Sequence, residues 1–474
     1  MPLSSKVRRL FHSLCQTWSS SVLISNTAWV IAGYGLRLLI QGAYFVIIAR
    51  SLGVKQYGAF IGATALIGVL SPFVGLGSGF VLIKNVARDK TLFAEYWGNG
   101  LLVTLLSGVS LFAVAASLCA ALLPIPALAV VFIALSDLIF CKMVDLAGWA
   151  FQAFETLSKT ARLNVLLSFT RLLGIAGLAL AVGHPTVLAW AAAYLAGAVL
   201  TALIAVIWVT LCLGKPRLAL GRLGGKETVE GFYFSVGLSA YTIYNDIDKT
   251  MLARLSTLEA TGIYGAAYRL IDVACIPLVA LASAANAGFF REGKRGIQAA
   301  VRYGRRLLKR FVLYPVFAFV ALFIGAPVVP WVLGHQYAQV AEALRWLAVL
   351  PLLRTIQYFN ADPLAGSGYQ GLRTLAQACV AVFNILVNLW IIPAYGWRGA
   401  AWSSIASDGL LALALWFAAN RLARRAHSRF EQVAIADTGA VNRSPVGLLA
   451  AGLAALVARA GAFLRLGISG GQDT

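Results

Sequence analysis

Opposite charges three residues apart occur in three apolar stretches of this chain: Lys142 with Asp145, Asp246 with Lys249, and Arg269 with Asp272. Residues at i and i+3 lie on one face of a helix, so each pair can partly neutralise itself. Further charges stand in equally apolar surroundings: Arg37, Arg171, Arg345 and Arg354 among the bases, Asp137, Asp248 and Asp408 among the acids. An ionisable group at membrane depth costs about 2.5–3.5 kcal/mol on insertion scales, so each needs a partner or a task. For Lys142, Asp145 and Asp408 the expected task is an internal ion pair that pins helices together. Arg37 and Arg269 are expected to differ. Arg37 has no acid within a turn, and Arg269 belongs to the polar stretch Tyr264 to Asp272. Such an arginine calls for an acid on another helix or a water-filled cavity that receives an anion. The planar guanidinium fork binds phosphate bidentately and stays protonated, which suits the second role. Arg37, Lys249, Arg269, Arg345 and Arg354 are therefore the expected anion-binding set. Asp246, Asp248 and Asp272 are carboxylates that could couple transport to protons or sodium, since a buried acid beside Lys and Arg can change partners as it protonates.

Other chemistries lack their residues. The six Cys are scattered with no C-x-x-C pair, and the four His lie far apart, so neither disulfides nor a metal site is expected. GSGYQG at Gly366 to Gly371 matches a dinucleotide pattern, but it follows a membrane helix and Pro363 where that fold needs a buried strand. No G-x-x-x-x-G-K-[ST] occurs, so no cofactor and no P-loop ATP hydrolysis is expected. Any transport must then be passive, secondary, or driven by a partner or by the membrane potential. A membrane-embedded glycosyltransferase or polymerase would want exposed acids near a long outside loop. The longest such connection, Pro330 to Val340, has no carboxylate, so an enzyme is not expected.

The elements that hold these charges follow from composition. Of the 474 residues 60% are apolar and only 12% charged, too little polar surface to coat a water-soluble body. The runs Trp97 to Ser136, Leu172 to Gly214 and Phe311 to Ala341 carry no charge at all, and each exceeds the roughly 20 residues that span a bilayer. Twelve helices are expected, near 25–49, 57–83, 97–122, 127–151, 161–182, 187–213, 231–253, 262–290, 311–329, 341–361, 374–392 and 399–420. A net charge of +21 would suggest nucleic acid in a soluble protein. Here the Lys and Arg fall on alternate loops, and the other side holds only Arg50, Lys55, Arg254 and Arg398. By the positive-inside rule both termini are cytoplasmic, and no nucleic acid is expected as a partner. The expected domains are a cytoplasmic segment 1–24, a six-helix bundle 25–213, a linker 214–230, a second bundle 231–420, and a basic tail 421–474 with an interfacial helix near 445–466.

A shift of 204 residues lays Ala49-Arg50 on Ala253-Arg254, Gly58 on Gly262 and Ala63 on Ala267. Six helices separate the copies, so the expected architecture is an all-α polytopic membrane protein with a parallel 6+6 repeat around a central cavity. The segment DKTMLARLSTLEATGIYGAAYRL, Asp248 to Leu270, resembles the second-half signature of Wzx-type lipid-linked oligosaccharide flippases, and Arg50 to Phe60 resembles their first-half segment. These flippases belong to the multidrug/oligosaccharidyl-lipid/polysaccharide (MOP) exporter superfamily. The resemblance implies alternating access, an undecaprenyl-pyrophosphate-linked oligosaccharide as substrate, a bacterial inner membrane, and a pathway making O-antigen, capsule or exopolysaccharide. A polymerase and glycosyltransferases are its implied partners, beside membrane lipids. Arg50, Gly58, Asp248, Arg254, Gly262, Tyr268 and Arg269 stand at motif positions, while Lys249 replaces an Arg found in many relatives. A MATE-like drug or metabolite exporter and a lipid II flippase of the same superfamily are the alternatives.

Overall fold

The computed structural model describes residues 22–182, 185–219, 221 and 226–441. The expected segment 1–24 lies almost wholly outside these residues, and the expected interfacial helix 445–466 entirely so. Among the described residues the protein is helical, and eight stretches are long and apolar enough to cross a membrane. Two of these stretches each hold two passes. The rings of Phe45 and Tyr57 lie 5.8 Å apart, whereas twelve residues of straight helix would separate them by about 18 Å. The chain therefore folds back at Gly53, whose φ of 74° and ψ of 168° only glycine adopts cheaply. Asn388 and Ser403 are hydrogen-bonded across Gly396, at φ 56° and ψ −133°, which makes 370–395 and 397–425 a second such hairpin. Lys226–Leu255 and the successive helices Ala338–Leu347 and Leu350–Gly366 supply two further passes, although their length and composition do not qualify them. That makes twelve passes among the described residues, at the twelve expected places. The seventh helix begins at Lys226, within the stretch 214–230.

The chain divides into two compact units. The larger comprises residues up to Leu281 with 311–355 and 374–412. In it a Cβ at Gly58 would overlap the Leu258 carbonyl, and one at Gly262 would overlap the Val54 carbonyl. The shift of 204 carries Val54 to Leu258 and Gly58 to Gly262, so each contact is the image of the other. A two-fold relation between repeats produces such reciprocity, and glycine is what lets the two backbones touch. At the same end Arg50 donates to the carbonyls of Val332 and Trp331 at 2.6 and 2.9 Å, and the Tyr337 hydroxyl donates to Ala49 at 3.0 Å. Arg254 is exposed.

The smaller unit gathers 282–310, 356–373 and the chain from Leu413. Glycines set its close packing too: a Cβ at Gly304 would stand 2.7 Å from the Phe359 carbonyl, and Gly293 abuts Gly366. Helix Ile297–Phe311 buries Ile297, Ala300, Val301 and Gly304 and leaves Arg302, Arg306, Lys309 and Arg310 exposed. Asp362 pairs with Arg373 at 3.4 Å.

Candidate substrate chamber

Within the larger unit a polar chamber of about 340 Å³ is bounded by seven passes of the chain's first half and second half together. The first and second passes supply Tyr44, Tyr57, Phe60 and Thr64, and the fourth to sixth supply Asp137, Ser168, Arg171 and Tyr194. The seventh and eighth supply Asp246, Lys249, Arg269 and Asp272. Beside it runs an apolar cleft of about 510 Å³ walled by the first and the eighth to tenth passes, with Leu38, Val46, Val273, Ile276, Leu322 and Val332 among its side chains. Gln41, Phe45, Arg269 and Asp272 line both spaces.

Local structure explains how polar groups come to face this interior. The fourth pass contains a π-helical turn, Ser136–Phe140, an insertion that re-aims a helix face and occurs often at functional sites. It carries Asp137, which accepts from Arg171 Nη2 at 3.1 Å and from the Tyr194 hydroxyl at 2.9 Å. The Arg171 guanidinium lies 3.9 Å from the Tyr194 ring centre, a cation–π contact as well as an ion pair. On the seventh pass Lys249 pairs with Asp246 one turn away, donates to the Asn245 carbonyl at 3.0 Å, and stands 4.3 Å from the Tyr268 ring centre.

The expected pairs Lys142–Asp145 and Asp246–Lys249 form, the first at 3.2 Å. Arg269 and Asp272 do not pair with each other. Asp272 is instead bonded to Arg354 at 3.2 Å, and Arg354 also reaches Asp408 at 3.5 Å and the Tyr268 hydroxyl at 3.0 Å. Face-sharing made the Arg269–Asp272 contact available, and a better-placed guanidinium from the tenth pass took the carboxylate. Arg354 is thus buried in a full set of acceptors behind the chamber wall, where an incoming anion would find it occupied. Arg269 is left with one hydrogen bond, from Nη2 to Gln41 Oε1 at 3.3 Å, and no carboxylate among the described residues.

The remaining predicted positions separate. Asp248 is buried and accepts from Tyr264, from Ser404 at 3.2 Å and from the Lys249 backbone N–H at 2.8 Å, so it braces helices and does not line the chamber. Tyr268 is buried between Lys249 and Arg354. Arg37 is half-buried one turn before Gln41 and lines neither space. Arg345 is exposed, with its guanidinium 5.8 Å from the Phe323 ring centre, and lines neither space either. It lies near the start of its pass, where a long side chain can carry its charge towards the interface. Of the five expected anion-binding residues the structure brings Lys249 and Arg269 to the chamber. Sequence reasoning did not select Arg171, Asp137, Tyr44 or Tyr194 as site residues. The signal for Arg171 and Asp137 was present as two unexplained intramembrane charges; for the tyrosines there was none.

Among the described residues the chain is thus a multi-pass helical membrane protein in which a charged chamber and an apolar cleft share wall residues. The chain belongs to the polysaccharide biosynthesis protein family, whose match covers residues 23–287, more than half of its length. No curated protein sequence matches it. Its fold is similar to the inward-facing conformation of a multidrug resistance MATE family transporter of the MOP superfamily, at 15% identity and a TM-score of 0.68 over 84% of this chain and 98% of that one. It is also similar to the lipid II flippase MurJ in an inward closed conformation, at 13% identity and a TM-score of 0.64 over 84% of this chain and 87% of that one. A third similar structure is a MOP superfamily transporter from Pyrococcus furiosus with a binding pocket of reversed polarity, at 16% identity and a TM-score of 0.59 over 85% of this chain and 95% of that one.

Proposed function

We propose that the protein is a flippase that moves undecaprenyl-pyrophosphate-linked oligosaccharide from the cytoplasmic to the periplasmic leaflet of a bacterial inner membrane by alternating access. The observation that carries this reading is the place of Arg269. It stands on the wall common to a polar chamber and an apolar cleft, and among the described residues no carboxylate forms an ion pair with it. A lipid-linked sugar has the same order of parts: a polar head, a dianionic pyrophosphate and a long apolar tail. With pyrophosphate at Arg269 the head occupies the chamber and the tail leaves along the cleft into lipid. The six-helix halves would alternate around that site. Membership of a polysaccharide biosynthesis family supports the substrate class.

Energetics suit this direction of travel. Moving negative charge out of a negative interior gains about 2.3 kcal/mol per charge per 100 mV, so the membrane potential can drive export. Asp246 and Asp272 line the chamber and hold Lys249 and Arg354, which makes them the carboxylates best placed to add proton or sodium coupling. Asp248, enclosed by its own donors, is the least accessible of the three. A polymerase and glycosyltransferases are the partners such a flippase would serve.

Mass spectrometry of undecaprenyl-linked oligosaccharides from cells without the gene tests the reading. Complete repeat units should accumulate, be cleared by the intact copy and remain with an Arg269→Ala copy. Unchanged lipid-linked sugars, with new sensitivity to organic cations, would overturn it in favour of a drug exporter.

A further inference from the structure

The chamber wall built by the chain's first half keeps polar atoms that the fold does not use. The hydrogen bonds of Asp137 all run to Oδ1: from Arg171 and Tyr194, from Ser136 Oγ at 3.4 Å and from Cys141 Sγ at 3.7 Å, which leaves Oδ2 as an open acceptor. Arg171 gives Nη2 to Asp137 and to Cys141 Sγ, while its Nε–H is buried without a hydrogen bond. The Tyr44 hydroxyl, which lies towards the Trp190 indole, likewise has no hydrogen bond of proper geometry. Leaving such groups unmet costs about 1–3 kcal/mol each, and because both belong to side chains that line the chamber, a small shift of either side chain would present them to water or a ligand. Next to them Phe60 lines the chamber, its ring held 4.3 Å from that of Trp190 and 6.1 Å from that of Tyr194.

An acceptor, a donor, a phenol and an aromatic ring on one wall match the surface of a sugar. Its hydroxyls can donate to a carboxylate and accept from a guanidinium, and its C–H face can lie on a ring. An organic cation would meet the Arg171 charge, and a second phosphate would meet Asp137. We infer that Asp137, Arg171, Tyr44 and Phe60 form a saccharide subsite that receives the sugar nearest the pyrophosphate. The inference rests on the flippase reading and gives the two chamber walls different work: phosphate on the Arg269 side, sugar on the Arg171 side.

Full-length protein in lipid nanodiscs, titrated with bare undecaprenyl pyrophosphate and with the same lipid bearing one hexose, separates the two ideas. The hexose-bearing lipid should bind about tenfold more tightly, the worth of one or two hydrogen bonds. Tyr44→Phe should lower that ratio about threefold, and Asp137→Asn should bring it close to one, whereas Arg269→Ala should weaken both lipids alike and keep the ratio. Equal binding of the two lipids by the intact protein overturns the subsite and leaves the flippase reading standing. So does a ratio unchanged in Tyr44→Phe, the variant that keeps the Arg171–Asp137 pair and so should fold. Failure of both lipids to bind overturns both ideas. Binding of tetraphenylphosphonium that is lost in Asp137→Asn overturns the subsite in favour of a cation site.

Discussion

Arg171 and Arg354 keep similar company, since each stands beside an aspartate, a tyrosine and a cysteine, yet they differ in what remains unfilled. Arg354 is shared between Asp272 and Asp408, bonds Tyr268 and is buried. Arg171 has one carboxylate, and an N–H to spare on a cavity wall. Saturation, more than burial, separates an arginine that holds helices together from one that can receive a ligand. Arg269 extends the series: with an amide as its partner it is the least neutralised of the three, and it stands where the chamber meets the cleft.

The largest effect should come from breaking the saturated site. Arg354→Met removes the guanidinium that buried Asp408 shares with Asp272, and losing one partner of a buried pair costs about 3–5 kcal/mol. Thermal melting in detergent should show a lower transition or no folded protein, and Arg171→Met should lose clearly less. A reversed order would break the comparison. Arg269→Ala should keep the intact melting temperature but bind undecaprenyl pyrophosphate about 10–100-fold more weakly, as for a lost charged hydrogen bond. A lower melting temperature with unchanged affinity would make Arg269 a strut like Arg354. Asp246→Asn and Asp272→Asn sharpen the question of coupling: an altered pH dependence of transport is expected, and an unaltered one in both variants removes proton coupling through them.

Hydrophobic runs and loop charges made the twelve passes legible in the sequence, because apolar length is a local property that the bilayer enforces. The glycine repeat was legible for a similar reason: Gly58 and Gly262 mark a backbone contact that admits no side chain. The chamber was only partly so. Spacing of three residues shows that Arg269 and Asp272 share a face, but the competitor that takes Asp272 comes from 82 positions away. Arg345 looked equivalent to Arg354 because both sit in one apolar pass, and only packing shows that one is exposed and the other enclosed. Tyr44 and Tyr194 carried no signal, since tyrosine is ordinary in a membrane helix and matters here for the cavity it faces.

Reconstituted transport tests the central claim most directly. Purified protein in liposomes should move undecaprenyl-pyrophosphate oligosaccharide between leaflets, faster when the donor side is negative, and Arg269→Ala should slow this at least tenfold while remaining folded. Equal rates for the intact protein and Arg269→Ala, or movement of organic cations in place of the lipid-linked sugar, would contradict it.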